Sequence, residues 1–262
     1  MPALDSILAE TRKRVDALRS RAGELAERAS AAATGKPFLR ARGKTVGVIA
    51  EVKRRSPSQG SIRADLDAVQ YARAYEAGGA QAISVLTEEI HFGGSLDDLR
   101  RVAAAVSVPV LRKDFVLNEL QIMEARAAGA SAVLLIARIV PPAELATLAA
   151  LVRSWQLTAL IEVHEVGELD AAFAAGVEVL GVNARDLDTL AVDPRRAEQI
   201  IRRLPADVTV VAESGVETRQ DVERLADAGA DFILVGTSIA RNNEPERAVR
   251  DLGGVPRMGR RQ

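Results

Sequence analysis

The sequence predicts the α/β class, specifically a single (β/α)8 barrel (TIM barrel) with an N-terminal helical extension, and three observations carry that prediction. From residue 46 onward an apolar run of five or six residues recurs eight times, near 46–51, 81–86, 109–113, 132–136, 158–163, 178–182, 208–212 and 232–236. A loop and an amphipathic helix follow each run, which suggests parallel strands joined by helical crossovers. Four of the helices end in the same Ala-Gly connection, at Gly78-Gly79, Gly129, Gly176 and Gly229, where glycine accepts the left-handed conformation that stops a helix. A length of 262 residues suits one closed barrel. An open doubly wound sheet is the competing architecture, but no strand runs into a G-x-G-x-x-G turn.

Residues 3–33 show helical periodicity, with Leu4, Ile7, Leu8, Val15, Leu18 and Leu25 on one side. Gly35, Pro37 and Gly43 interrupt it. The expected organisation is therefore a helical extension over 1–45 that packs on the barrel, a barrel over 46–252, and a frayed basic tail over 253–262. No apolar run approaches the roughly 18 residues of a membrane span. The net charge of −1 offers no general attraction for nucleic acid or membrane. The absence of cysteine excludes disulfides, thiolate nucleophiles and Cys-ligated metals, and fits a reducing, cytoplasmic setting.

Functional groups of such a barrel stand at the C-terminal ends of the strands. The first strand runs Val46-Gly47-Val48-Ile49-Ala50 and then presents Glu51 and Lys53, two residues apart and so on one side. The third presents Lys113 and Phe115 on one side, the fifth ends at Glu162, the sixth gives Asn183 and Arg185, and the seventh gives Glu213. Unpaired charges in a dry interior are costly, so these groups must pair with one another or meet a polar ligand. Lys113 and Glu162 could be the acid and base of one reaction; a static Lys–Glu network supporting the barrel mouth is the alternative. Ser214-Gly215 and Gly236-Thr237 occupy the seventh and eighth loops, where such barrels commonly take phosphate, although tight turns alone would also use these glycines. Phe92, Phe115, Leu134, Leu187 and Leu190 either belong to the core or line an apolar slot suited to a flat ring. His91 reads as a loop residue and His164 as a structural or exposed one. Two histidines so far apart, with no carboxylates at ligand spacing, make a metal site unexpected.

Several segments together resemble the indole-3-glycerol phosphate synthase family. They are Ile49-Ala50-Glu51-Val52-Lys53-Arg54-Arg55-Ser56-Pro57-Ser58, Phe92-Gly93-Gly94-Ser95, Arg112-Lys113-Asp114-Phe115, Ile161-Glu162-Val163-His164, Gly181-Val182-Asn183-Ala184-Arg185-Asp186-Leu187 and Ala212-Glu213-Ser214-Gly215-Val216. The match runs in order from about residue 4 to 252. Other phosphate-binding barrels share the last two loops but not the E-x-K-x-x-S-P segment.

The resemblance implies ring closure, decarboxylation and dehydration of 1-(2-carboxyphenylamino)-1-deoxyribulose 5-phosphate, without cofactor, by a family of tryptophan biosynthesis that is often monomeric. It implies that Lys53 binds the anthranilate carboxylate, Lys113 is the general acid and Glu162 the general base. Glu51, Asn183 and Glu213 would hold the lysines and the substrate hydroxyls, and Arg185 and Ser56 the sugar-phosphate end. Ser214, Gly215, Gly236 and Thr237 would receive the phosphate; Pro57, Phe92, Phe115 and Leu134 would enclose the ring. Three positions depart from the family pattern: Ala184, the turn Asn118-Glu119-Leu120, and Thr237 in place of serine. A sugar-phosphate isomerase and a barrel that binds a phosphorylated metabolite without turnover are the competing functions. The first usually works with a cysteine, and none is present.

Overall fold

In the computed structural model, which describes residues 2–39 and 43–260, eight parallel strands close into a barrel. They are β1 (Gly47–Val52), β2 (Ala82–Leu86), β3 (Val110–Lys113), β4 (Ala132–Ile136), β5 (Thr158–Val163), β6 (Val179–Asn183), β7 (Thr209–Glu213) and β8 (Phe232–Val235). Each strand pairs with its sequence neighbours and β1 closes on β8, so no edge is left open. The predicted strands agree with these within a residue or so at either end. The N-terminal pattern forms two helices, α1 (Pro2–Leu18) and α2 (Ala22–Ala31), separated by a 3-10 turn over Arg19–Arg21. The outer helices are α3 (Ala68–Ala77), α4 (Leu96–Ala105), α5 (Glu119–Ala127), α6 (Pro142–Ser154), α7 (Leu169–Ala174), α8 (Pro194–Ile201), α9 (Arg219–Ala228), α10 (Thr237–Ala240) and α11 (Pro245–Leu252). Gly79, Gly129, Gly176 and Gly229 all have positive φ at the connections.

Strand alternation separates two apolar layers. Ile49, Leu111, Leu134, Leu160, Val179, Val211 and Phe232 fill the barrel, joined by Ile7 and Leu8 of α1. Val48, Ile83, Val133, Ile161, Val182, Val210 and Ile233 face the helices. The same alternation turns the last inward residue of several strands into the mouth. Asn183 stands beside Glu213, and Glu162 stands beside Ile136 and Gly181. None of the described helices is long and apolar enough to cross a membrane.

Three local findings change the picture drawn from sequence. The expected frayed tail is corrected over 253–260: Val255 is buried, Pro256 bridges to Thr45, and Arg257 and Arg260 reach the buried Asp231 at 2.7 and 3.1 Å. Charge complementarity, invisible in an aperiodic segment, holds it against the barrel. The departure at Asn118 is a helix cap, because its side chain accepts from Leu120 N–H at 3.0 Å. The loop after β1 also contains a small antiparallel hairpin, Arg55–Ser56 with Gly60–Ser61, that the sequence pattern did not show.

The N-terminal extension is locked to the strand that carries Lys113. Asp114 is fully buried and accepts from Arg14 of α1 at 2.8 and 2.9 Å, from Arg112 at 2.9 Å and from Thr87 at 2.6 Å. Arg112, itself buried, also donates to Gln121 O at 2.5 Å and Glu124 at 3.2 Å. Removing the carboxylate strands two guanidinium groups at once. Asp114→Ala should therefore cost about 3–5 kcal/mol, read as a lower urea midpoint with an unchanged slope.

Candidate active site

Four strand ends bring one ammonium and three carboxylates together. Lys113 Nζ lies 3.4 Å from Glu213 Oε2, 3.5 Å from Glu162 Oε2 and 4.0 Å from Glu51 Oε2. A second ammonium, Lys53 Nζ, is 3.2 Å from Glu51 Oε1. All three glutamates are buried, while both lysines remain partly open to the cleft.

The charges settle one another. Burial works against the Lys113 ammonium, but Glu162, Glu213 and Glu51 outweigh it and raise the pKa. Burial would raise Glu51 and Glu162 as well. Lys53 and Lys113 instead hold Glu51 below its ordinary value, and Lys113 and His164 do the same for Glu162. Glu213 goes the other way: burial and the neighbouring Glu162 charge push it well above the usual carboxylate range. Of the three carboxyl groups Glu213 is thus the one most inclined to hold a proton. Glu162 Oε2 and both oxygens of Glu213 have no hydrogen-bond partner in the protein. An acid–base pair with spare acceptor capacity is what a mouth that handles hydroxyls and moves protons requires.

Two glycines make room for these carboxylates. A Cβ on Gly181 would stand 2.3 Å from Glu213 Oε1, and one on Gly236 would stand 2.7 Å from Glu51 Oε1. Gly181 was missed from sequence, although a glycine inside an apolar strand is itself a sign of close approach.

An apolar cleft opens above the cluster. Its lining includes Glu51, Lys53, Ser56, Pro57, Phe92, Lys113, Phe115, Leu134, Glu162, Asn183, Arg185, Leu187, Leu190 and Ser214. The Phe92 and Phe115 rings are 6.1 Å apart at 42°, and Lys53 Nζ lies 5.9 Å from the Phe92 centroid. Arg185 donates to Leu190 O at 2.8 Å, and its backbone N–H donates to Asn183 Oδ1 at 3.0 Å. Gly215, Gly236 and Thr237 do not line this cleft. Ser214 and Gly215 both have positive φ, 66° and 73°, and Thr237 opens α10, tied to the preceding loop by Ser238 Oγ–H donating to Val216 O at 3.0 Å. Positive φ in a serine is a strained conformation of the kind found at functional loops.

Other contributors escaped the sequence reading. Leu4 and Ile7 of α1 also line the cleft, so the extension does more than pack. Glu88 is buried and accepts from the N–H groups of Ile90, His91 and Phe92 at 3.2, 2.6 and 2.9 Å, which folds the loop carrying Phe92. His91 is on that loop as expected, with Nδ1 3.1 Å from Glu88. His164 is structural but not exposed: it is fully buried behind Glu162. Among the described residues no group of three or more His, Asp or Glu side chains is arranged to hold a metal ion.

Comparison with known proteins adds a second line. The profile of the family described as indole-3-glycerol phosphate synthase matches residues 4–252. The chain is 49% identical over 253 residues to the indole-3-glycerol phosphate synthase of Mycobacterium avium (strain 104), covering 95% of this chain and 93% of that one. It is 46% identical over 256 residues to that of Rhodococcus jostii (strain RHA1), covering 96% and 95%. Among solved structures, 3-hexulose-6-phosphate synthase from Salmonella typhimurium aligns with a TM-score of 0.64 at 14% identity, covering 79% of this chain and 96% of that one. At that identity the likeness shows the barrel alone.

Gly181→Ala tests the packing of the cluster directly. The added methyl group must displace the buried Glu213 carboxylate, so stability should fall by about 1–3 kcal/mol, measured by chemical denaturation. An unchanged midpoint would show that Glu213 has room the geometry does not give it.

Proposed function

The chain belongs to the indole-3-glycerol phosphate synthase family, carboxy-lyases of tryptophan biosynthesis, and from that premise we propose how its own mouth carries the reaction. The substrate in this reading is 1-(2-carboxyphenylamino)-1-deoxyribulose 5-phosphate. The observation that supports it most is the convergence of Glu51, Glu162 and Glu213 on Lys113, beside a second ammonium and under an aromatic wall. Such a site offers a cation for a carboxylate, an acid, a base and an apolar face for a ring.

Lys53 pairs with the ring carboxylate while Phe92, Phe115, Pro57, Leu134 and Leu187 enclose the ring. Arg185 and Ser56 hold the sugar, with Ser214, Gly215, Gly236 and Thr237 at the phosphate. The ring carbon bearing the carboxylate attacks the ketone carbon, and Lys113 gives its proton to the ketone oxygen, which becomes a hydroxyl. Carbon dioxide leaves and its bonding pair returns to the ring. Lys113 regains a proton from solvent and, in the dehydration half, gives it to the departing hydroxyl, while Glu162 removes the proton from the carbon next to nitrogen. Water leaves and the indole ring is complete. Loss of the carboxylate removes one negative charge, so each turnover takes up one proton from solvent. Glu51, Asn183 and Glu213 hold the lysines and the hydroxyls in register for these steps.

Substrate binding also tunes the base. In the free cluster Lys113 holds Glu162 low, which makes it a weak base. A substrate carboxylate that shares the ammonium groups loosens that hold and raises Glu162 toward the range in which general bases work well. The same reading makes the protein a cytoplasmic monomer acting on a free small molecule, consistent with a net charge of −1.

Indole fluorescence should appear when the carboxyphenylamino-deoxyribulose phosphate is supplied with neither metal nor nucleotide. Tight binding without product would favour a non-catalytic barrel instead. Lys113→Ala should lower turnover by about 10²–10⁴-fold; a rate like that of the parent protein would sink the assignment of the acid. Glu162→Gln should lower kcat with little change in KM, because its role lies in a step after binding.

A further inference from the structure

A buried imidazole stands directly behind the proposed base. His164 lies two residues after Glu162, just past the end of β5. Its Nε2 is 3.3 Å from Glu162 Oε1, and its Nδ1 is 3.7 Å from Glu168 Oε2 in the turn that follows the strand. The backbone N–H of His164 donates to the same Glu168 oxygen at 2.6 Å, which anchors that carboxylate beside the ring. The ring is fully buried, does not line the cleft, and neither nitrogen makes a fully aligned hydrogen bond. The charged neighbours of the ring are Glu162 near the end of β5 and Glu168 on the turn that follows. Glu162 in turn faces Lys113 of β3 and Glu213 of β7.

We propose that His164 is a positioning residue, an imidazolium wedged between Glu162 and Glu168 that orients the Glu162 carboxylate and keeps it ionised until it takes the proton in the dehydration step. The inference rests on the reading of Glu162 as the general base.

The electrostatic need for such a group arises when substrate binds. The mouth already contains Glu51, Glu162 and Glu213, and the substrate adds a carboxylate that competes for Lys53 and Lys113. Left to those two ammonium groups alone, Glu162 would be pushed toward protonation and lost as a base. His164 approaches the other oxygen of Glu162 from a direction no substrate reaches. Its hold therefore persists when the lysines are drawn away. Burial disfavours the imidazolium, but Glu162 and Glu168 outweigh it and push the pKa up from 6.5 to about 9. Glu168 is held below its ordinary value in return, burial opposing and His164 prevailing. An imidazole neutral at neutral pH would offer only one N–H to two flanking carboxylates; the imidazolium offers both.

The test combines spectra and kinetics. The chain has two histidines, so nitrogen-15 spectra of the imidazoles contain two sets of signals, and the set lost in His164→Gln belongs to His164. The expected result is an imidazolium at pH 7 that titrates near 9. A neutral His164 ring at pH 7 would overturn the proposal. In His164→Gln, which keeps a donor but no charge, kcat should fall by about 10–100-fold with KM changed far less. The acid limb of the kcat profile should move up by about 1–3 pH units. A variant with the parent kcat and pH profile, or one altered only in KM, would also overturn it.

Stability supplies a readout independent of activity. A folded pKa above the unfolded value means that the pairing contributes fully below pH 6.5 and is lost as pH rises through about 9. The stability difference between parent and His164→Gln should shrink across that window, and a constant difference would contradict the charged pairing. Should the parent protein make no product, the reading of the reaction fails on its own. The spectra and the stability window then decide the His164–Glu162 pairing without it.

Discussion

One ammonium facing three buried carboxylates is the constraint on which the rest of this mouth depends. Three ionised glutamates around Lys113 would leave uncompensated negative charge, at several kcal/mol per desolvated ion. The cluster resolves this by dividing the work. Lys53 pairs with Glu51, Lys113 and His164 hold the Glu162 pKa down, and burial beside Glu162 pushes that of Glu213 up. Opposite shifts in chemically identical side chains follow from position alone. The arrangement also needs space, which is why glycine occupies 181 and 236 next to the two most crowded carboxylates.

Such a cluster persists only on a stiff support. Below it the barrel is closed by apolar layers in which each fully buried Leu, Ile or Val contributes about 1.5–3 kcal/mol. That burial offsets the desolvation of the charged mouth. Beside it, Asp114 anchors the residue next to Lys113 to Arg112, Thr87 and Arg14. The N-terminal extension is thereby tied through Arg14 to the strand end that presents the lysine. The same helix lends Leu4 and Ile7 to the cleft wall. Extension and barrel are one functional unit, whatever their separate appearance in the sequence.

The likeness to other barrels separates fold from chemistry. A 3-hexulose-6-phosphate synthase shares the architecture at 14% identity, and at that distance the mouth residues carry no common argument. The relatives at 46–49% identity span nearly the whole of both chains. Family membership follows from them; the proposed mechanism rests on what this chain's own lysines and glutamates do to one another.

The sequence by itself determined the barrel, the strand ends and the residue types in the mouth. These follow from local periodicity: two-residue alternation in strands, helical spacing between them, and glycine stops after the helices. Lys53, Lys113, Glu51, Glu162, Asn183 and Glu213 were legible because a charged residue at the end of a buried run stands out against its neighbours. Only the tertiary structure decided which glutamate has its pKa pushed up and which pushed down, since that depends on distances among β1, β3, β5 and β7. It also decided that His164 lies buried against Glu162, that Gly181 and Gly236 clear space for carboxylates, and that Arg257 and Arg260 hold the C-terminal segment on Asp231. Each of these is a contact between residues whose partners the local pattern does not name. Periodicity tells a side chain which way to face; closure of the barrel tells it what it will meet.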